Sequence, residues 1–516
     1  MIRRRLVSGL ATALLTATTL VSAEEPPSSS QPILSAPASG SDLPDLGSPA
    51  ANYLSKDDEF RLGAMVAHEL RDQNALLEDP EVSEYINAVG QRLASQSAMG
   101  GEYFHYFVIK DSTINAFAVT GGYVFFMSGL ILATSTESEL AGVMAHETAH
   151  ITQHHIARML ADQAHQSLTT AAALIGAILL GSLGGGGQAT EGALAAVQGM
   201  SVQHQINFTR GNEWEADRVG IGYLAGAGFD PSGMADMFDT MMRHTGLAAT
   251  YIPAMLIDHP ADTERIAEQR SRAAQFPPRK VKDSLSYELI RERVRVLTAM
   301  GDVDLALQYQ QHIAHGGDNL GNRYGEALAL MRGNQEGAEQ AVQILSKLVQ
   351  QHEGLTLLYA ALGQAQARAG RHEQALATFK HAEELFPRNV PLTVRYAEEL
   401  MAVNRPAEAH TMLLDLFNNV PPTPDQIRLT ALAASAAGDA GDAYYYMGEY
   451  QLANGDLNLA AQQLQLALAS PRISQIQRER YQARLDEVRD FLASLKKRQL
   501  ASDNNGDQNR RGGGGR

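Results

Sequence analysis

The sequence predicts a mainly α-helical protein with a small β-sheet in its N-terminal half and an α-solenoid in its C-terminal half. Three observations carry this. The chain of 516 residues is rich in Ala, Leu and Gln, with 6% aromatics and one Trp, a composition that favours helix. One stretch near residues 103–129 abandons helical spacing for runs of Phe, Tyr and Val. Beyond about residue 285, small residues and turn formers recur at a fixed long period.

Residues 1–23, MIRRRLVSGLATALLTATTLVSA, place three arginines before an apolar run that ends in Val-Ser-Ala. This is the layout of a secretory signal peptide, with cleavage expected after Ala23. Its removal takes the formal net charge from −16 to −19, which argues against nucleic acid or an anionic membrane surface as general partners. There is no cysteine, so the expected exported chain must rest on core packing or a metal. Residues 24–55 are rich in Pro, Ser and Gly and read as a disordered linker.

Ordered sequence is expected from about Asp57, where Leu62, Val66 and Leu70, then Val82, Ile86 and Leu93, follow helical spacing. YFHYFVIKDS and NAFAVTGGYVFFMSG, with Gly-Gly at 121–122, predict a small sheet. Residues 136–163 then predict one long helix, with Thr136, Glu137 and Ser138 near its start as capping groups. The apolar stretch 168–200 is too interrupted for a membrane span of about 20 residues. A buried helical hairpin joined by Gly184–Gly187 is the first reading, and a mobile lid or peripheral membrane contact the alternative.

Residues 285–495 repeat. Tyr359, Leu362, Gly363, Gly370, Ala375, Phe379, Ala382 and Pro387 fit the tetratricopeptide pattern of small residues where two helices touch, Gly at the turn and Pro after the second helix. Ala306, Ala341, Ala375 and Ala409 are spaced by 35, 34 and 34 residues, and Ala460 follows after 51, so about half a repeat is inserted. Residues 496–516, ending in Arg and Gly, read as a disordered tail.

The chemistry concentrates in GVMAHETAHITQHH, residues 142–155. His146 and His150 are one helical turn apart, so two imidazoles can share one metal ion. Glu147 is rotated by about 100° from His146 and can take the proton of an attacking water. A metal held by two side chains needs a third ligand, and NEWEADRVG, 212–220, offers one. Glu213 and Asp217 share a helix face. Glu213 can reach the metal and Asp217 can hold the far nitrogen of a ligand histidine. Glu215 is the rival third ligand, and spacing alone leaves that choice open.

HETAHITQHHIAR, NAFAVTGGYVFFMSGL, NEWEADRVG and HPADTER stand in the order seen in the HtpX and CAAX-prenyl-protease group of zinc peptidases. With a leader and C-terminal tetratricopeptide repeats, the chain resembles its periplasmic BepA branch over about residues 50–490. The resemblance implies a zincin-like (gluzincin) peptidase domain over 56–275 followed by the solenoid. It implies one Zn2+ held by His146, His150 and Glu213, with Glu147 as general base, Asp217 in support, His259 able to occupy the fourth zinc position in a latent state, and Arg265 as an oxyanion or substrate contact. Asn115, Ala116 and Phe117 match the edge strand that presents substrate backbone. The partners implied are unfolded or stalled outer-membrane β-barrel proteins and their assembly machinery. The alternative is a non-proteolytic scaffold with a structural zinc. His154, where relatives often have Arg, carries no role in this reading.

Overall fold

A computed structural model describes residues 55–100, 104–156, 158, 209–244, 255, 259, 263–277, 279, 281–301 and 304–512. The expected signal peptide, nearly all of the linker and the stretch 168–200 lie outside the described residues.

The first helix, α1 (Lys56–Asp72), starts at Ser55, whose side chain accepts the Asp58 N–H. Helix α2 (Pro80–Ala94) has Asp79 as N-cap and Pro80 at the first turn, where a missing N–H costs nothing. Three strands follow: β1 (His105–Ile109), β2 (Ala116–Val119) and β3 (Tyr123–Met127). Their order is β1-β3-β2, with β1 parallel and β2 antiparallel to the fully buried β3. Gly121 and Gly122, at φ 79° and 88°, make the turn between β2 and β3, as the Gly-Gly pair predicts. Alternation along β3 divides the core. Phe125 and Met127 meet Leu62, Val66 and Leu70 of α1, while Val124 and Phe126 join α2 in the large core.

A short helix, α3 (Ser128–Ala133), leads into α4 (Glu137–Thr152), capped by Thr136 onto the Glu139 N–H. Every residue of α4 from Glu137 to Ile151 is buried, the polar side chains as well as the apolar run Leu140–Ala145. Around it pack α2, β2, α5 (Thr209–Gly226) and α6 (Gly233–His244). Small residues set the spacing: a Cβ on Gly142 would lie 2.8 Å from the Met234 backbone, and one on Gly220 would lie 3.1 Å from that of Ala145.

The expected helix 136–163 breaks after Thr152. His154 adopts φ 52°, and helical conformation resumes at His155. The sequence pattern stays helical through the break, but histidine is one of the few side chains that tolerate the left-handed region.

After α7 (Thr263–Ala273) come α8 (Leu285–Thr298), α9 (Leu305–Ala314), α10 (Leu320–Met331), α11 (Gln335–Gln351), α12 (Thr356–Arg368), α13 (His372–Leu385), α14 (Val390–Ala402), α15 (Pro406–Phe417), α16 (Pro424–Ala436), α17 (Ala440–Ala453), α18 (Leu457–Ala469) and α19 (Gln475–Gly512); α8 packs on α10, and from α9 onward each helix packs on the next. Gly363 lies under Phe379, 2.4 Å from where its Cβ would be, and Gly370 turns at φ 77°. The 51-residue gap is one extra helix, with α17 packing on both α16 and α18. Helix α19 extends to Gly512, into the segment expected to form the tail.

The peptidase region and solenoid share one apolar core, running from Leu77 through Val124 and Leu289 to Ala369. Helix α8 packs directly on α2 and α3. Two arginines of the solenoid close the seam. Arg293 bonds Asp79 at 2.6 and 2.7 Å and Glu81 at 3.0 Å; Arg395 bonds Asp79 at 2.8 Å and Glu81 at 2.7 and 2.9 Å.

Candidate metal centre

Helix α4 carries His146 and His150 on one face, with Nε2 atoms 3.0 Å apart. Helix α5, held close by Gly220, brings Glu213 to them. Its Oε2 lies 3.3 Å from His146 Nε2 and its Oε1 lies 3.4 Å from His150 Nε2. His259 completes the group, with Nδ1 3.0 Å from Glu213 Oε1 and 3.4 Å from His146 Nε2. Ligand atoms of these four residues all lie within 4.8 Å of one another.

The set fits a divalent cation. Metal–ligand bonds of about 2.0–2.1 Å in a tetrahedron imply ligand–ligand edges of about 3.3 Å, and the contacts above run from 3.0 to 3.4 Å. Three ring nitrogens converging with a carboxylate also leave lone pairs facing one another, an arrangement a cation resolves.

The protonation states fit as well. Burial opposes charge on Glu213, but His259, His146 and His150 overrule it and hold the carboxyl well below its ordinary value. Burial keeps His150 well below the usual imidazole value, helped by the neighbouring imidazoles against the pull of Glu213. His146 differs. Burial disfavours its charge, yet hydrogen bonds to Asp217 and Glu213 raise it to about 10, so an entering cation displaces a proton there.

Glu147 is buried next to His146 and brings Oε1 to within 3.5 Å of His259 Nε2. Asp217 lies one turn beyond Glu213, with Oδ1 2.9 Å from His146 Nδ1. Arg265, on α7 and 2% exposed, bonds Asp217 at 2.5 and 2.9 Å and Glu213 at 2.9 Å. Burial works against the Asp217 charge, but Arg265 and His146 bring its carboxyl down to about 2. Ala116 and Phe117 open β2, an edge of the sheet beside α4. Asn115 precedes them and accepts the Met127 N–H. Met255 donates its N–H to Ile114 O at 3.2 Å, and His259 donates to Met255 O at 2.8 Å, so the chain bearing His259 is tied to the start of this edge.

Glu213, rather than Glu215, offers its carboxylate to the cluster. Glu215 turns away to His155 and Arg158. The sequence reading passed over both. The doubled His154-His155 was a signal, but its meaning depends on the left-handed turn.

Comparison with known proteins adds family to geometry. Residues 80–273 match peptidase family M48. The putative β-barrel assembly-enhancing protease of Vibrio cholerae is 34% identical over 453 residues, covering 87% of this chain and 92% of that protein. The chain belongs to peptidase family M48. As an M48 member it is a metalloendopeptidase. The β-barrel assembly-enhancing protease of Escherichia coli K12 is 31% identical over 458 residues, 88% of this chain and 92% of that one. The mitochondrial metalloendopeptidase OMA1 of Schizosaccharomyces pombe is 31% identical over 182 residues, 35% of this chain and 50% of its own. An M48 peptidase needs a metal, and among the described residues His146, His150, Glu213 and His259, within the matched region, form a group that could hold one.

Proposed function

We propose that this M48 peptidase is a periplasmic zinc endopeptidase that promotes assembly of outer-membrane β-barrel proteins and degrades those that stall. The observation that carries the chemistry is the convergence of His146, His150 and Glu213 with Glu147 one residue from the first ligand. Zinc bound there supplies Lewis acidity toward the scissile carbonyl and the attacking water. Glu147 takes the proton from that water and delivers it to the leaving amine. Asp217 holds His146 by its far nitrogen, and Arg265 steadies both Asp217 and Glu213. The burial of Arg265 between two carboxylates supports this positioning role over the substrate contact that the resemblance implies.

His259 makes the resting enzyme latent. It would supply a fourth donor beside His146, His150 and Glu213 and it lies against Glu147, so its departure would free both the metal and the base. A closed set of four protein ligands is also the mark of a structural zinc, but membership of a peptidase family favours latency. Asn115, Ala116 and Phe117 receive an extended substrate along the edge of the sheet. The solenoid engages clients and the assembly machinery, a reading that rests on the names of the relatives and on the repeats. Among the described residues no helix is long and apolar enough to cross a membrane. The leader, the linker 24–55 and a peripheral contact through 168–200 belong to this proposal on sequence grounds alone.

The test is digestion of a denatured barrel protein. Glu147→Gln retains zinc and loses cleavage by at least about 100-fold, the low end for a general base. His259→Ala cleaves faster than wild type. Cleavage by Glu147→Gln at the wild-type rate refutes the catalytic assignment, and unchanged or slower cleavage by His259→Ala refutes latency.

A further inference from the structure

His150 turns Nε2 toward the cluster and Nδ1 away from it. Behind it, His150 Nδ1 lies 2.9 Å from Nδ1 of His155. The other nitrogen of His155, Nε2, lies 3.1 Å from Glu215 Oε2. Arg158 Nη2 lies 2.9 Å from the same oxygen. His155 is fully buried, while the side chain of Glu215 is 41% exposed.

Proton placement along this chain follows from hydrogen-bond logic. Two ring nitrogens at 2.9 Å share one proton between them. If His150 offers the lone pair of Nε2 to a metal, its proton sits on Nδ1. His155 Nδ1 is then the acceptor, so the His155 proton sits on Nε2, where the Glu215 carboxylate receives it. Each tautomer is set by the next group outward.

The backbone is built to allow this. On an unbroken helix, positions five apart are rotated about 140° from one another, so His155 would face away from His150. The left-handed residue His154, at φ 52°, ends α4 and returns the chain inward. A non-glycine residue adopts that region only at a cost, and the contact it makes possible is the one between the two imidazoles.

We propose that Glu215 and His155 are positioning residues that fix the tautomer and ring orientation of His150 and thereby set the affinity for the metal. This rests on the reading of His150 as a ligand. The other helix-borne histidine is held directly, by Asp217 on His146 Nδ1. His150 is held through an intervening imidazole whose carboxylate reaches solvent.

The experiment measures the zinc dissociation constant of the full chain by competition with a chromogenic chelator. His155→Leu keeps the bulk and removes the acceptor, and weakens zinc binding by about 10–100-fold, as loss of an outer partner does. His155→Gln carries an acceptor and a donor on one side chain and restores affinity toward wild type. Glu215→Ala, at a half-exposed site, weakens binding in the same direction. In the zinc-loaded protein labelled at histidine nitrogen, NMR shows the His150 proton on Nδ1 and the His155 proton on Nε2. Wild-type affinity in His155→Leu, or no recovery in His155→Gln, overturns the relay. His150→Ala separates the two readings: if it binds zinc like wild type, the ligand assignment fails. If it loses zinc while His155→Leu does not, the relay alone fails.

Discussion

Replacing Asp79 by Asn tests how the solenoid is locked to the peptidase region. Asp79 accepts from Arg293 and Arg395 of the solenoid and caps α2 through the Val82 N–H at 3.1 Å. With Glu81 it balances two buried guanidinium groups. Asparagine keeps a capping oxygen, so the cap term of about 1 kcal/mol is largely retained. What goes is one negative charge in a site where Arg293 is 3% exposed. Removing one partner of a buried pair costs about 3–5 kcal/mol. Arg395→Met alone leaves two carboxylates facing one arginine and is also costly. The double variant leaves Glu81 with Arg293, a balanced pair, and recovers much of the loss. Urea unfolding followed by fluorescence of Trp214, the single tryptophan, reports on the peptidase region, and helical circular dichroism reports mainly on the solenoid. The shared core predicts coincident transitions. A loss below about 1 kcal/mol for Asp79→Asn, or additivity within about 0.5 kcal/mol in the double variant, refutes the reasoning. The pH dependence gives an independent check. Burial alone would raise the Asp79 carboxyl, but Arg293 and Arg395 hold it well below its ordinary 3.8. Its contribution is therefore complete above that value and fades as pH falls toward the depressed one.

Glu84 behaves in the opposite sense. Burial, with Glu81 nearby and against a hydrogen bond from Asn389, pushes its carboxyl from 4.5 up to about 7. Its contribution is intact below 4.5 and lost as pH rises through 7, so Glu84→Gln stabilises at pH 8 by up to about 3 kcal/mol and changes little at pH 4; an equal effect at both pH values in urea titrations counts against it. Gly142→Ala places a Cβ 2.8 Å from the Met234 backbone, and forcing α4 from α6 costs about 1–3 kcal/mol; an unchanged melting temperature would show that the helices give way freely. Chelation abolishes peptidase activity and lowers the melting temperature, by about 4 kcal/mol of lost stabilisation where free zinc had stood at a thousandfold over its dissociation constant. Calorimetry with and without added zinc measures it, and an identical melting curve refutes a metal linked to folding.

Much of the site was legible because its residues act over short, periodic separations. His146 and His150, or Glu213 and Asp217, are i and i+4 on helices, and such spacing translates directly into a shared face. The sheet was legible because Phe125 and Phe126 break a helical period and Gly121-Gly122 demands positive φ. The solenoid was legible because Gly363 and Ala375 mark contacts that only small side chains allow. Asp79 and Glu81 lie 214 and 212 residues from Arg293 and 316 and 314 from Arg395. In the sequence they read as the acidic start of a helix, which is also true, and nothing local distinguishes a capping aspartate from one that also clamps a distant domain.

The end of α4 shows a different limit, where one backbone dihedral decides the chemistry of several side chains. With His154 in the helical region, His155 faces away from His150 and Glu215 loses the partner that turns it from the cluster. The choice between Glu213 and Glu215 as metal-facing carboxylate, open on spacing alone, thus depends partly on a residue that touches neither. Glu213 is aimed inward by Arg265 and faces three imidazoles, while Glu215 is drawn outward by His155 and Arg158. Two carboxylates two residues apart on one helix differ by about 200° in direction, so only one can face the histidine cluster. The partners on each side of α5 determine which one it is, and leave the other against His155 and Arg158.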